Sequence, residues 1–284
     1  MSDFSANWLA MREPYDHRAR NAALLQKVAA TFSGHPAVAV VDLACGTGST
    51  LRALSPVLPK RQSWRLVDND LSLLARIKAA PDATETTLVP TPVDLKRDLE
   101  LALDGPLDLV TVSALFDLVS PEWLERLAVE AAARHLPVYA ALTYDGQVAF
   151  DPADPLDTRV VGAFNRHQLS DKGFGPALGP RAARVTVEAL ERVGYAVKSG
   201  QSDWQFGPED AEIQLELIAG FAAAARETGV VALEDLVGWI ARRREAITDG
   251  TASLLIGHLD VFAQTTDTRW GARSQSNSTS SPIG

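Results

Sequence analysis

One cysteine, Cys45, stands in the 284 residues. It excludes an intrachain disulfide and a cysteine-built zinc site, and it makes a reducing, cytoplasmic setting the expectation. No apolar run is long enough to span a bilayer. The opening "MSDFSANWLAMREPYDHRAR" is interrupted by charges and leads into no apolar core, unlike a secretory leader. Positive charge is scarce: 27 Lys and Arg face 36 Asp and Glu, a net charge of −9. That balance disfavours nonspecific attraction to nucleic-acid phosphate or anionic lipid, so no nucleic-acid or membrane partner is expected. Internal repeats are absent, and the acids do not assemble into a cluster of oxygen ligands, so no metal is expected either.

What is present is an alternation of strand and helix patterns. Trp8 to Arg12 reads as a short helix, and Pro14 opens a second that runs on from Tyr15 to Phe32. Val38 to Leu43 is a continuous apolar run, as in a strand buried on both faces, followed by a helix from Ser49 to Leu58. "SWRLVDND" and "LSLLARIKAA" form the next strand and helix, and "TTLVPTPVDL" a third strand, near an edge because of its prolines. "LDLVTVSAL", the helix "PEWLERLAVEAAARHL" and the strand "PVYAALTYDG" follow. After Gly146 the pattern becomes a long loop with a short helix inside. Then come a helix closed by Gly194, a sixth strand "YAVKSGQSDWQF", helices over Pro208–Thr228 and Leu233–Ile247, and a last strand "SLLIGHLDVFAQT". The alternation predicts an α/β fold with a mostly parallel sheet and helices on both faces. We expect one domain over residues 1–270: N-terminal helices (1–36), core (37–206), helical insertion (207–250) and last strand (251–268), with a disordered polar tail over 271–284.

The turn in "VAVVDLACGTGSTLRAL" poses the functional question. Two glycines between a buried strand and a helix let a ligand approach the backbone. Dinucleotide sites want Gly-x-Gly-x-x-Gly, and the third place here is Leu51. Asp42 just before the turn would repel a pyrophosphate and suits a cation. S-adenosylmethionine carries two cationic centres, an ammonium and a sulfonium. The second strand ends "VDND", with Asp68 about twenty residues past the glycines, where a ribose finds its acceptor. A carboxylate accepts two hydroxyl hydrogens at once. The third strand ends "VDL": Asp94 can accept from the adenine amine, and the Leu95 amide can donate to a ring nitrogen.

"VVDLACGTGS", "LVDND", "PVDL" and "LDLVTVSAL" together resemble the ordered signature motifs of class I S-adenosylmethionine-dependent methyltransferases, over about Ala37 to Gly146. The resemblance implies a Rossmann-like seven-stranded sheet with an antiparallel last strand. The two helices before that strand would then be an insertion on the family plan. It further implies a cofactor site in which Gly46 and Gly48, with Ala44, Cys45 and Ser49 of the same turn, line the methionine part. Asp42 would hold the ammonium, Asp68 with Asn69 the ribose, and Asp94 and Leu95 the adenine. Ser113, Ala114 and Leu115 would face the sulfonium and the acceptor, and Arg12, Tyr15 or Arg20 could reach the methionine carboxylate. Each acid also has a plain structural role open to it as a cap, and Cys45 reads as a small packed residue.

The acceptor side is thinner. "SALFDLVS" lacks the Asn-Pro-Pro-aromatic or Asp-Pro-Pro-aromatic motif of many amino-group methyltransferases. With the acidic balance, this points to a small-molecule acceptor. "FNRHQLSDKGFGPALGP", read as a loop, offers His167 as a base or a structural histidine, with Asp171 and Lys172 as substrate contacts or solvated loop residues. Asp117, Tyr144 and Asp145 lie near strand ends, Tyr144 as a candidate catalytic group and Asp117 as a substrate contact, or as caps. A noncatalytic adenosylmethionine-binding protein and a nucleotide-dependent oxidoreductase remain the alternatives; the missing third glycine and Asp42 count against the second.

Overall fold

The computed structural model describes residues 5–78 and 85–265. Helix α1 covers Ala6–Ala19, with Ser5 as N-cap accepting the Trp8 amide, and α2 covers Ala22–Phe32, capped by Asn21 accepting the Leu24 amide. The expected break at Pro14 is not there. Proline lies inside α1, and the Ala10 carbonyl that it cannot bond belongs to an exposed residue, open to solvent that can stand in for the missing donor. The break falls instead at Arg20, where the chain turns extended and the Asn21 cap begins α2.

Strand β1 (Val38–Leu43), α3 (Ser49–Leu54), β2 (Gln62–Asp68), α4 (Leu71–Leu74) and β3 (Thr86–Pro92) follow. Next are α5 (Leu99–Ala102), β4 (Leu109–Ser113), α6 (Pro121–Ala133) and β5 (Val138–Asp151). The chain continues through α7 (Asp157–Gln168), α8 (Ala182–Arg192), β6 (Tyr195–Gln201) and β7 (Trp204–Phe206). Helices α9 (Ala211–Thr228) and α10 (Leu233–Thr248) then precede β8 (Ser253–Thr265).

The strands form one eight-stranded sheet in the order β3-β2-β1-β4-β5-β8-β6, with β7 also paired to β8. β1 to β5 run parallel to one another, whereas β8 is antiparallel to β5, β6 and β7. The expected architecture is therefore present: a mostly parallel Rossmann-like sheet, β3 at its edge, and the last strand antiparallel between the fifth and sixth. One extra strand exists because "YAVKSGQSDWQF" is two strands, broken where the Asp203 carboxylate accepts the His258 amide.

Two further expectations change. β5 does not stop at Gly146; it passes two register irregularities and stays paired with β8 as far as Asp151. The segment read as a loop from Gln147 therefore begins as strand, and its central part is the twelve-residue helix α7, which buries Val160 and Ala163. The helix expected over Leu71–Ala80 is only Leu71–Leu74, and Ala79 and Ala80 lie outside the described residues. So does the tail expected to be disordered from 271 onward.

Alternation on β1 sorts the core. Val38 and Val40 join the layer of α2, α3, α7, α9 and α10, with Phe32, Trp64, Phe221 and Trp239 at its centre. Val41 and Leu43 join the layer of α6 and α8, with Trp123, Leu127 and Leu190. Burial of both faces is why these strands read as unbroken apolar runs. Asp42 shares the even-numbered face, beneath α3. The strand order reverses on either side of β1, where open α/β sheets form a crevice at the carboxyl ends of their strands.

Candidate active site

The site begins at the turn after β1. Ala44, Gly46 and Gly48 all have positive φ, at 53°, 53° and 85°. Glycine supplies this freely at the last two; Ala44 holds it against its Cβ, a local strain of about 1 kcal/mol. The turn is tied to β2 by two bonds: Cys45 N–H to the Val67 carbonyl at 2.9 Å, and Gly46 N–H to Asp68 Oδ2 at 2.9 Å. Asp68 also accepts the Asp70 amide on Oδ1 at 3.0 Å. Leu9 of α1 lies over the turn, so that a Cβ on Gly46 would come within 3.2 Å of its Cδ1.

A cleft opens above this turn at the carboxyl edge of β1, β2 and β4. Ala44, Cys45, Gly46 and Ser49 form its base. Asp68 and Asn69 from the end of β2, and Asp94 and Leu95 after β3, form one wall. Ser113, Ala114 and Leu115 after β4 face them, with Arg12 of α1 above and Lys172 at the far end. Thirteen of the residues singled out in the sequence thus surround one cavity, although they come from six separate segments.

Others do not line it. Gly48 lies behind the turn, where a Cβ would meet the Ile77 side chain at 3.2 Å. Asp42 is buried beneath the base: Thr111 Oγ1 donates to its Oδ1 at 2.8 Å, and its Oδ2 has no hydrogen bond among the described residues. Burial pushes its carboxyl up to about 7, with Thr111 and the Arg20 charge pulling the other way. Asp117 lies just past Leu115 in chain order, and its carboxyl is pushed up to about 6 by burial against the pull of Arg12 and Lys172. Tyr144 is buried and donates to Asn165 Oδ1 at 2.6 Å. Burial, helped by the nearby charges of Asp145 and Asp117, drives its phenol pKa upward, which keeps it protonated. Asp171 is exposed and accepts the amides of Gly173 and Gly175, at 2.7 and 2.9 Å. His167 is not on a loop: it sits in the last turn of α7 with Nε2 2.9 Å from Glu227 Oε2.

Several residues of the site have no sequence signal. Asp16 lines the cleft, accepting from Arg12 Nε at 3.0 Å and from Trp204 Nε1 at 3.1 Å. Thr50, Leu118 and Phe174 line it as well. Arg20, singled out in the sequence with Arg12 and Tyr15 for a methionine carboxylate, does not line the cleft: it is buried below, donating to Tyr139 Oη, Thr50 Oγ1 and Ser113 Oγ at 3.3–3.5 Å. His258 on β8 packs between Tyr144 and Trp204, its Nδ1 3.0 Å from the Ile256 carbonyl. Burial, and after it the nearby Arg12 charge, push His258 down to about 3, so its ring is neutral with the proton held on Nδ1. Among the described residues, no group of His, Cys, Asp and Glu could hold a metal ion, and no helix is long and apolar enough to cross a membrane.

No protein-family model and no curated protein matches the sequence. Solved structures do match in shape. A cyclopropane-fatty-acyl-phospholipid synthase-like protein from Lactobacillus casei superposes with a TM-score of 0.51 at 15% identity, covering 91% of this chain and 94% of that one. A putative type II methyltransferase from Anaeromyxobacter dehalogenans gives 0.49 at 16% identity, covering 87% and 96%. The first of these likenesses establishes the architecture: the chain has the Rossmann-like α/β fold of that protein.

Proposed function

We propose that this chain is an S-adenosylmethionine-dependent methyltransferase acting on a small-molecule acceptor. The observation that carries the reading is the convergence of Asp68, Asp94 and the Gly46 turn on one cleft, with the half-satisfied carboxylate of Asp42 directly under the turn. The residues suit this cofactor. Asp68 spends one acceptor site of each oxygen on a backbone amide and keeps others for two ribose hydroxyls. Asp94 takes the Lys96 amide on Oδ1 and has exposed Arg97 Nε 3.7 Å from Oδ2, a contact longer than a hydrogen bond that leaves lone pairs for an exocyclic amine. The buried Asp42 carboxylate supplies negative charge near the ammonium, and Arg12, whose Nε alone is bound to Asp16, can turn its remaining N–H groups to a carboxylate.

When bound, the cofactor supplies an electrophilic methyl group on a sulfonium, a good leaving group. The chain's contribution is then alignment and exclusion of water. Leu9 and Leu115 give the cleft apolar lining, and Ala114, between Ser113 and Leu115, adds only a small side chain to it. Calorimetric titration tests the reading: S-adenosylmethionine should bind stoichiometrically and NAD should not. Binding of NAD instead would replace it with an oxidoreductase reading.

A further inference from the structure

Lys172 enters the cleft from a braced turn. Asp171 locks that turn by accepting the Gly173 and Gly175 amides, and both glycines have positive φ, at 107° and 93°. Asp171 also bridges to Pro176, while Phe174 bridges to Val119 and packs edge-on against Trp123 at 5.4 Å. The lysine is therefore held by a rigid backbone.

Its side chain is held too. Lys172 Nζ lies 3.3 Å from His167 Nδ1, and His167 Nε2 lies 2.9 Å from Glu227 Oε2 on α9. An ammonium can only donate, so Nδ1 accepts, and the imidazole proton on Nε2 donates to Glu227. Two stretches 60 residues apart, the end of α7 with the turn after it and α9, thus form a chain, carboxylate to imidazole to ammonium, that ends at the cleft. No carboxylate pairs directly with Lys172 in the described structure. The titratable groups facing it are His167, Glu227 and Asp117, the last flanked on its other side by Arg12. Burial lowers the lysine's pKa, and the charges of Glu227 and Asp117 oppose that shift. Beside it, Leu118 and Phe174 give an apolar wall.

We infer that Lys172 is the anion-binding group of the acceptor subsite, propped by the positioning pair His167–Glu227, and that the methyl acceptor is a small carboxylic acid with an apolar body. One ammonium balances one negative charge. The nearby Asp117 carboxyl would work against a phosphate dianion, and the Phe174–Leu118 wall suits a hydrocarbon or aromatic portion. The inference rests on the methyltransferase reading for the word acceptor, but the subsite can be tested without turnover.

The test is competitive acetylation of lysines with acetic anhydride, read by mass spectrometry at Lys172 against the exposed Lys27 and Lys60. It is run on protein saturated with S-adenosylhomocysteine, with benzoate, benzamide or phenyl phosphate added. Saturating benzoate should slow labelling of Lys172 by about tenfold, the scale of one charge-assisted hydrogen bond, while neutral benzamide should not. In His167→Ala and Glu227→Gln, Lys172 should titrate at lower pH and benzoate protection should weaken, with S-adenosylhomocysteine affinity unchanged. A purely structural role for the pair would leave the lysine's titration where it is. Equal protection by benzamide, protection by phenyl phosphate alone, or no protection by any probe overturns the inference. Masking of Lys172 by S-adenosylhomocysteine itself assigns the lysine to the cofactor and also overturns it. Failure of the methyltransferase reading would appear separately, as absent S-adenosylhomocysteine binding in calorimetry, and the benzoate–benzamide contrast is then read on the unloaded protein.

Discussion

Asp68 holds the Gly46 amide across 2.9 Å, so the carboxylate proposed to take the ribose also fixes the turn proposed to take the methionine. One side chain therefore couples two parts of the cleft that are 22 residues apart in sequence. Replacing it removes a ligand contact and slackens the neighbouring backbone together. Asp68→Ala should weaken S-adenosylmethionine binding by about 2 kcal/mol, the scale of lost charge-assisted hydrogen bonds. Asp68→Asn, which keeps one acceptor oxygen, should fall between. Calorimetry checks this, with the fold monitored by circular dichroism; unchanged affinity in the alanine variant removes Asp68 from the site.

Asp42 predicts a pH dependence. Its carboxyl lies at about 7 in the folded chain, against an ordinary value of 3.8. Between those values the native state holds a proton that the unfolded chain has released, so this group's contribution to stability falls as pH rises from about 4 to about 7. Asp42→Asn should flatten that part of the profile and be relatively more stable at pH above about 7. Affinity for a cationic ligand should run the opposite way, rising with pH in the wild type as the carboxylate ionises. Urea denaturation and ligand titration on either side of neutrality measure both slopes; parallel profiles for wild type and variant would sink the assignment.

Asp260 is wholly buried on β8 and accepts from Tyr139 Oη, the Leu142 amide and the Asn21 amide, each at 2.9 Å. It joins the sheet to the start of α2. Asp260→Ala strands three buried donors and should cost on the order of 4 kcal/mol. A loss below about 1 kcal/mol in chemical denaturation, the range of ordinary surface changes, would show that water replaces the carboxylate.

Tyr144→Phe removes the donor to Asn165 Oδ1. Stability should drop by about 1 kcal/mol, as for one buried hydrogen bond. Affinity for S-adenosylmethionine should stay the same, since Tyr144 is walled off from the cleft. A large drop in that affinity, read by calorimetry, would mean that the Asn165 bond shapes the binding surface.

The strand-end motifs were legible because their signals are local: a glycine pair, an acid on the strand before it, an acid closing each following strand. The last strand was legible over its full length for the same reason, "SLLIGHLDVFAQT" being a compact apolar run between polar flanks. Gly146 misled because a glycine after "LTYD" looks like the end of a strand. Its role is instead steric: a Cβ there would lie 2.7 Å from the Pro180 ring, and the strand carries on. Helix α7 was hidden among prolines and glycines that, Gly162 apart, belong to its two flanks. His258 and Glu227 could not be picked out at all. What makes each of them notable is a partner far along the chain, His167 at 60 residues for Glu227 and Asp203 at 55 for His258, and a single sequence does not record such pairings.

The place of β8 has a consequence for how the chain is made. β5 and β6 are both complete before α9 and α10 are synthesised, yet neither can pair with the other, because the strand between them comes later. For the seconds needed to extend the chain through those two helices, β5 presents an open edge next to the finished parallel half of the sheet. That edge is long and apolar, from Val138 to Leu142, the kind that recruits strands from other molecules. The nascent chain is thus most prone to aggregation late in its synthesis, and arrival of Ser253–Thr265 ends the exposure in one step.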